Sequence, residues 1–216
     1  MSVLADALRQ RLRGPLPGRT AQMRMAPQPR PGWDPNVVPD GLRDAAGLVL
    51  VYPHGGEWCL PLTLRGSWLR QHTGQVSLPG GRVDAGESIE HAALREAHEE
   101  VGVEAAAVVV VGRLTPLHIP VSQHLLHPVV GIANARPNFR VAEAEVERLI
   151  EVPLRALLAP DVVQRESRLR EGAPVVLMDV PYFPVDGVRV WGATAMILAE
   201  FLALLDESDL RSAPEP

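Results

Sequence analysis

Gly81-Arg82-Val83-Asp84-Ala85-Gly86-Glu87-Ser88-Ile89-Glu90-His91-Ala92-Ala93-Leu94-Arg95-Glu96-Ala97-His98-Glu99-Glu100-Val101-Gly102-Val103 is the stretch on which the reading of this chain turns. A glycine-rich bend, Pro79-Gly80-Gly81, leads into it, and four carboxylates and one arginine gather around a predicted helix over 88–101. Glu96, Glu99 and Glu100 stand at i, i+3 and i+4, so they share one helix face. Like charges at those offsets repel. A hard divalent cation held by carboxylate oxygens removes that repulsion, so the spacing points to a magnesium-type site on a helix and to chemistry on phosphates. A solvated acidic helix is the plainer meaning of a glutamate-rich run, but it accounts for neither the spacing nor the flanking glycines. Ser88 is a candidate N-cap, with Glu87 and Gly86 as alternatives, and Gly102 suits the left-handed residue that stops a helix.

Working outward, residues 1–13 carry Val3, Leu4, Ala7, Leu8 and Leu12 at helical spacing. Residues 14–41 hold seven prolines and four glycines and read as an extended arm rather than a packed element. Residues 45–52 read as a buried strand, Pro53 to Gly56 as a turn, 57–65 as the second strand of a hairpin, and 74–78 as a short strand. Apolar runs at 105–114 and 125–135 read as strands flanking a loop, Thr115 to His124. A short helix is expected after Pro153, strands at 173–180 and 187–191, a helix at 192–206, and a frayed tail from Ser208. Strands and helices mixed in this order predict an α/β fold, with a sheet between helices.

The 81–103 stretch resembles the Nudix box, the signature of the Nudix hydrolases. That pattern is glycine, five residues, glutamate, seven residues, Arg-Glu, an apolar residue, any residue, Glu-Glu, any residue, glycine, apolar. The slots here are Gly81, Glu87, Arg95, Glu96, Ala97, Glu99, Glu100, Gly102 and Val103. Ala97 is smaller than the usual isoleucine, leucine or valine. The resemblance implies a Nudix-type helix–sheet–helix sandwich with a mixed β-sheet, divided as an N-terminal helix and proline-rich arm (1–41), a hydrolase domain (42–206) and a C-terminal tail (207–216). It implies a Mg2+ or Mn2+ cofactor, with Glu99 and Glu100 as ligands, Glu96 as ligand or general base, and the Gly81 carbonyl as a further oxygen. Arg95 then holds Glu87 and the acidic cluster in place, and Glu87 orients the ligands from behind. A carboxylate from outside the box often joins the site; Glu143, Glu145 and Glu147 are candidates, and Glu145 fits best.

The preceding run, Leu62-Thr63-Leu64-Arg65-Gly66, then Arg70, Gly74 and Leu78-Pro79-Gly80-Gly81, is similar to the additional motif of coenzyme A diphosphatases within that family. Pro61, Leu64, Gly66 and Leu78 depart from it. Leu64 stands where the motif has lysine, which removes one phosphate-binding charge. Arg65 and Arg70 suit the anionic groups of coenzyme A; surface ion pairing is the alternative. Gly74, Gly80 and Gly81 complete the implied substrate-binding set. The likeness continues at Pro15–Gly18, Met25–Pro27 and Val190–Ala195. The expected reaction is hydrolysis of a diphosphate by in-line attack of water, assisted by a general base. Rival readings are hydrolysis of another nucleoside diphosphate derivative (ADP-ribose, a dinucleotide or a nucleoside triphosphate) and a non-catalytic nucleotide sensor. Intact box glutamates speak against the sensor.

Composition bounds the rest. The chain has 216 residues and a net charge of -5, so no basic field attracts a nucleic acid. All 21 basic residues are arginine, which genome composition explains more simply than phosphate recognition. Cys59 is the single cysteine, so no internal disulfide forms; it reads as a small buried apolar residue in a reducing, cytoplasmic protein. The N-terminal helix is too short and too charged for a membrane span. The partner expected is a small nucleotide, and the proline arm and the resemblance are compatible with a homodimer. His118, His124 and His127 flank the loop after the 105–114 strand, either as solvated loop residues or as groups that gate substrate. Trp191 is expected in the core, with stacking on adenine as the alternative.

Overall fold

The 45–52 run is buried on both faces. Leu48, Leu50 and Tyr52 pack with Ala92, Ala93, Ala97 and Val101 on one side, while Val49 and Val51 pack with Ile197, Leu198 and Phe201 on the other. A strand covered on both faces carries apolar residues at successive positions, which is why this run shows no polar alternation. These contacts come from a computed structural model that describes residues 2–30, 34, 37–66, 75–170 and 176–211. Arg70 and Gly74 therefore lie outside the described residues.

The strands are β1 (Arg43–His54), β2 (Glu57–Arg65), β3 (Val76–Ser77), β4 (Gly80–Arg82), β5 (Val108–Arg113), β6 (Leu117–Ile119), β7 (His124–Ala133) and β8 (Val146–Pro153), then β9 (Gln164–Arg170), β10 (Val176–Val185) and β11 (Val188–Trp191). The first eight form one sheet among the described residues. It is mixed: β1 runs parallel to β7 and antiparallel to both β2 and β4. The last three form a separate antiparallel sheet. The helices are α1 (Val3–Leu12), α2 (Gly18–Gln22), α3 (Ile89–Val101), α4 (Leu154–Leu158) and α5 (Gly192–Leu202). Helix α3 covers one face of β1, and α5 covers the other with α1 and α2 nearby. This is the expected mixed α/β sandwich. No described helix is long and apolar enough to cross a membrane.

The structure corrects several local expectations. The stretch 14–41 is not simply an extended arm. Gly18–Gln22 is helical, a 3-10 turn follows at Met23–Met25, and Ala21, Gln22, Met25 and Ala26 are buried. Proline is tolerated at a helix start, and Pro17 sits there as N-cap. A buried polar network then holds the segment. The amide of Gln22 donates to the Thr115 carbonyl at 2.9 Å and to Oε2 of Glu200 at 2.7 Å, and the Thr115 N–H donates to Oε1 of Glu200 at 3.1 Å. Farther on, Gln28 and Asp179 exchange backbone hydrogen bonds.

Glu143 and Glu145 lie in a turn that leads into β8, and Glu147 lies in β8 itself, whose Val146, Ile150 and Val152 are buried. Strand β9 had no sequence signal, because its residues are mostly charged or polar. Strand β6 falls inside the expected loop 115–124, and the last helix stops at Leu202 rather than at 206.

Candidate active site

Two local devices set the position of α3. At its start the Ser88 hydroxyl accepts the His91 N–H at 3.2 Å, and at its end Gly102 takes φ 71°, the left-handed conformation glycine adopts without cost. Its buried face is built from Ala92, Ala93 and Ala97, whose small side chains suit close packing on the sheet. Ala97, the slot smaller than its usual occupants, is fully buried there.

The diglycine bend is fixed by the protein's own atoms. A Cβ on Gly80 would stand 2.3 Å from the Ala46 carbonyl oxygen, and one on Gly81 would stand 2.3 Å from the Glu96 carboxyl carbon. At Gly80, where β4 pairs with β1, backbone leaves room for glycine alone, while a side chain at Gly81 would displace the Glu96 carboxylate. Gly80 also donates its N–H to Oε2 of Glu100 at 3.2 Å.

The three helical carboxylates occupy three environments. Glu100 is 5% exposed, Glu96 has an 18% exposed side chain, and that of Glu99 is 56% exposed. Burial pushes Glu100 up to about 7, against the Gly80 hydrogen bond; Glu96 and Glu145 add to the rise, and Arg65 opposes it. Burial also raises Glu96, against the pull of Arg95, with Glu99 and Glu145 adding to the rise. Such clustered, displaced carboxylates are the pattern of a functional site.

Arg95 binds across the cluster. Its Nε and Nη2 form a fork on Glu87 at 2.9 Å each, Nη1 reaches Glu96 at 2.9 Å and Glu99 at 3.2 Å, and Nη2 also meets the Arg82 carbonyl at 2.9 Å. The arginine hydrogen bond holds Glu87 down at about 2. One guanidinium thus ties the loop of residues 82–87 to the helix. The turn carrying Glu145 is docked on the end of α3: the Arg140 N–H donates to the Val101 carbonyl and the Ala142 N–H to that of Glu100, each at 2.9 Å. Glu145 is exposed, but of the three candidate glutamates it is the one whose charge acts on Glu96 and Glu100. Arg65 acts on Glu100 from β2, and its Nε is buried with no partner.

A family model of the NUDIX domain matches residues 41–171. The chain belongs to the Nudix family. It is 37% identical over 143 residues to the uncharacterized Nudix hydrolase NudL of Yersinia pestis (strain Pestoides F), a match covering 66% of this chain and 70% of NudL. Among solved structures it is similar to RenU, a Nudix hydrolase of M. smegmatis, at 30% identity and TM-score 0.43, covering 54% of this chain and 73% of RenU. It is also similar to a MutT protein from Methanosarcina mazei Go1, at 16% identity and TM-score 0.49, covering 77% and 96%.

Nudix hydrolases act on nucleoside diphosphate derivatives and generally use Mg2+ or Mn2+. The residues present suit such an ion. All the side-chain donors are carboxylate oxygens, as hard cations prefer, and Glu100 is a buried acid with no arginine bonded to it. Among the described residues no three acidic or imidazole side chains stand close enough to cage an ion outright. Arg95 spans Glu96 and Glu99, and Gly80 holds Glu100.

Beside the diglycine bend of this Nudix domain opens a cavity of about 510 Å³, within the size range of small-molecule sites. Gly80, Gly81, Arg65 and Arg82 line one part; Trp191, Met196 and Ile197 line another. A hollow of about 630 Å³ between α1 and the residues after α5 does not touch the diglycine bend. Contact with the bend selects the first. Trp191 is half-buried and lines the cavity instead of the core, with the Arg168 guanidinium 4.4 Å above its ring. His118 and His124 line the cavity too, whereas His127 pairs with Asp44 at 2.7 Å. Arg30 is a wall residue that the sequence did not flag. Cys59 is buried, and burial with Glu151 and Glu57 raises its thiol to about 11, the condition of an inert thiol.

Proposed function

We propose that this protein is a Mg2+- or Mn2+-dependent diphosphatase of coenzyme A or its thioesters, releasing adenosine 3′,5′-bisphosphate and 4′-phosphopantetheine or its acyl form. The observation that carries this reading is that one bend, Gly80-Gly81, borders both the carboxylates of α3 and a cavity lined by Arg65. Glu96, Glu99, Glu100, Glu145 and the Gly81 carbonyl would hold the cation. When bound, it supplies charge neutralisation at the diphosphate and an acidified water.

The protein's own groups do the remaining work. Glu96 or a neighbouring carboxylate takes the proton of the attacking water, a role suited to an acid raised toward neutrality. Glu87 and Arg95 keep the ligand helix and the bend in register. Arg65 pairs with a phosphate oxygen, using the Nε that has no protein partner. Arg70 and Gly74 complete the motif on which the coenzyme A assignment rests. A single buried thiol is consistent with a cytoplasmic setting.

The test is a phosphate-release panel of coenzyme A, dephospho-coenzyme A and ADP-ribose with Mg2+ and with Mn2+. Turnover of coenzyme A above the other two supports the proposal. Turnover of ADP-ribose without coenzyme A replaces it with the broader nucleoside diphosphate reading, and binding without turnover with the sensor.

A further inference from the structure

The part of the cavity wall built by Arg30 and His118 has a chemistry of its own. Arg30 lies outside the 41–171 domain match, as do Trp191, Met196 and Ile197 beside it on the wall. Its Nη1 approaches the Met196 sulfur at 3.5 Å. His118 comes from β6, and its Nδ1 is buried with no hydrogen-bond partner. The charges that act on His118 are those of Arg30 and Arg19. By contrast, the charges acting on Glu96 and Glu100 are those of Arg95, Glu99, Glu145, Arg65 and one another. The Gly80-Gly81 bend therefore borders two different environments: the acidic cluster, which is not on the cavity wall, and the cavity, whose charged lining is Arg30, Arg65 and Arg82 and which holds an unsatisfied imidazole at His118.

We infer that Arg30 and His118 form a subsite for a phosphate monoester carried by the substrate away from its scissile diphosphate. A guanidinium beside an imidazole, with a buried nitrogen left open, matches the oxygens of a terminal phosphate. The apolar Trp191, Met196 and Ile197 alongside suit the nucleoside bearing it. Burial, then Arg30 and Arg19, keep His118 below the usual imidazole range, which fits a ring that gains its charge partner from the ligand. The inference rests on the diphosphatase reading, of which it names the substrate's second anionic group.

The experiment is calorimetric titration of the full chain, without metal, with adenosine 3′,5′-bisphosphate and with adenosine 5′-monophosphate. They differ by one phosphate monoester. The wild type should bind the bisphosphate about tenfold more tightly, the value of one charge-assisted contact. Arg30→Ala should bring that ratio to about one, leaving the monophosphate affinity within about twofold. His118→Asn should lower the ratio by part. Circular dichroism checks that each variant is folded, and Arg30→Gln serves if the alanine variant is not. Equal affinities in the wild type, no binding of either nucleotide, or a ratio untouched by Arg30→Ala and Arg30→Gln overturns the subsite. Turnover of coenzyme A with a ratio of one would remove the subsite and keep the function; a ratio of ten without turnover of any diphosphate would do the reverse.

Discussion

The two regions that meet at the Gly80-Gly81 bend are built differently. The acidic side is local: the bend, Glu87, Arg95 and the three helical glutamates lie within residues 80–100, and one guanidinium links most of them. The far wall of the cavity is assembled from Pro27 and Arg30, from residues 117–126, and from Trp191 to Ile197, segments far apart in the chain. The acidic side gathers carboxylates whose charges oppose one another. The far wall is held by packing and by a hydrogen-bond network around Glu200. Damage to the first side should abolish chemistry with little loss of fold; damage to the second should loosen substrate binding and stability together.

The largest break is Glu100→Gln. It removes a charged oxygen from the proposed ligand set and should lower kcat on the order of a thousandfold, the scale of several kcal/mol of transition-state stabilisation. Because the wild-type carboxylate is buried among Glu96 and Glu145, the variant should melt no lower than wild type in chelator. Steady-state kinetics with Mn2+ titration, together with thermal melts, checks both halves. A variant that loses its fold along with its activity would contradict the division drawn here.

Next comes Arg95→Lys. Lysine keeps the charge but loses the fork that grips both oxygens of Glu87 while reaching Glu96 and Glu99. Loss of such an outer partner typically costs about 10–100-fold. The fall should appear in kcat and in apparent metal affinity, with the KM for substrate at saturating metal little changed.

How much of this contrast was legible in the sequence follows from the same geometry. Spacing within one helix is set by 3.6 residues per turn, so Glu96, Glu99 and Glu100, with caps Ser88 and Gly102, could be read directly. The wall could not, since nothing local in Gln22-Met23-Arg24-Met25 says that it packs on α5. Proline density in 14–41 argued for an extended arm, and only the distant Glu200 and Thr115 overrule it. Strand β8 was hidden because Glu147 and Arg148 occupy exposed positions between its buried residues. Strand β9 is a polar edge, the kind of strand that avoids apolar residues. Arg30 and the unpaired nitrogen of His118 are visible only once three segments meet.

A third prediction concerns pH. Glu100 sits at about 7 when no cation is bound, above its ordinary value of 4.5. The folded protein therefore holds that proton over a range where the unfolded chain has lost it. Stability should fall as pH rises from about 4.5 to 7, by roughly 3 kcal/mol, or several degrees in Tm. Glu87 acts in the opposite sense: held at about 2, it stabilises above its ordinary range, and that contribution is lost as pH falls toward about 2. Melts in chelator between about pH 4.5 and 7 should show the Glu100 slope in wild type and a clearly shallower one in Glu100→Gln. Saturating Mg2+ should raise Tm more near pH 7.5 than near pH 5, because only the ionised cluster needs it. Identical slopes in the two proteins would assign the pH response elsewhere.

The smallest effect tests the far wall. Glu200 is fully buried, and its two oxygens accept from the Gln22 amide and the Thr115 N–H. In Glu200→Gln one new amide oxygen can still accept from Thr115, but the new NH2 then faces the NH2 of Gln22. Turning the Gln22 amide would mend that clash and forfeit its bond to the Thr115 carbonyl. One hydrogen bond is lost in either arrangement, at a cost of about 1–2 kcal/mol. Gln22→Ala should cost a similar amount, and the double variant should cost less than the sum, since both changes remove the same bond. Because α2 and α5 carry Pro27, Arg30, Met196 and Ile197 toward the cavity, each single variant should raise KM a few-fold at unchanged kcat. Strict additivity, or a fall in kcat with KM intact, would mean that this network does not shape the substrate wall.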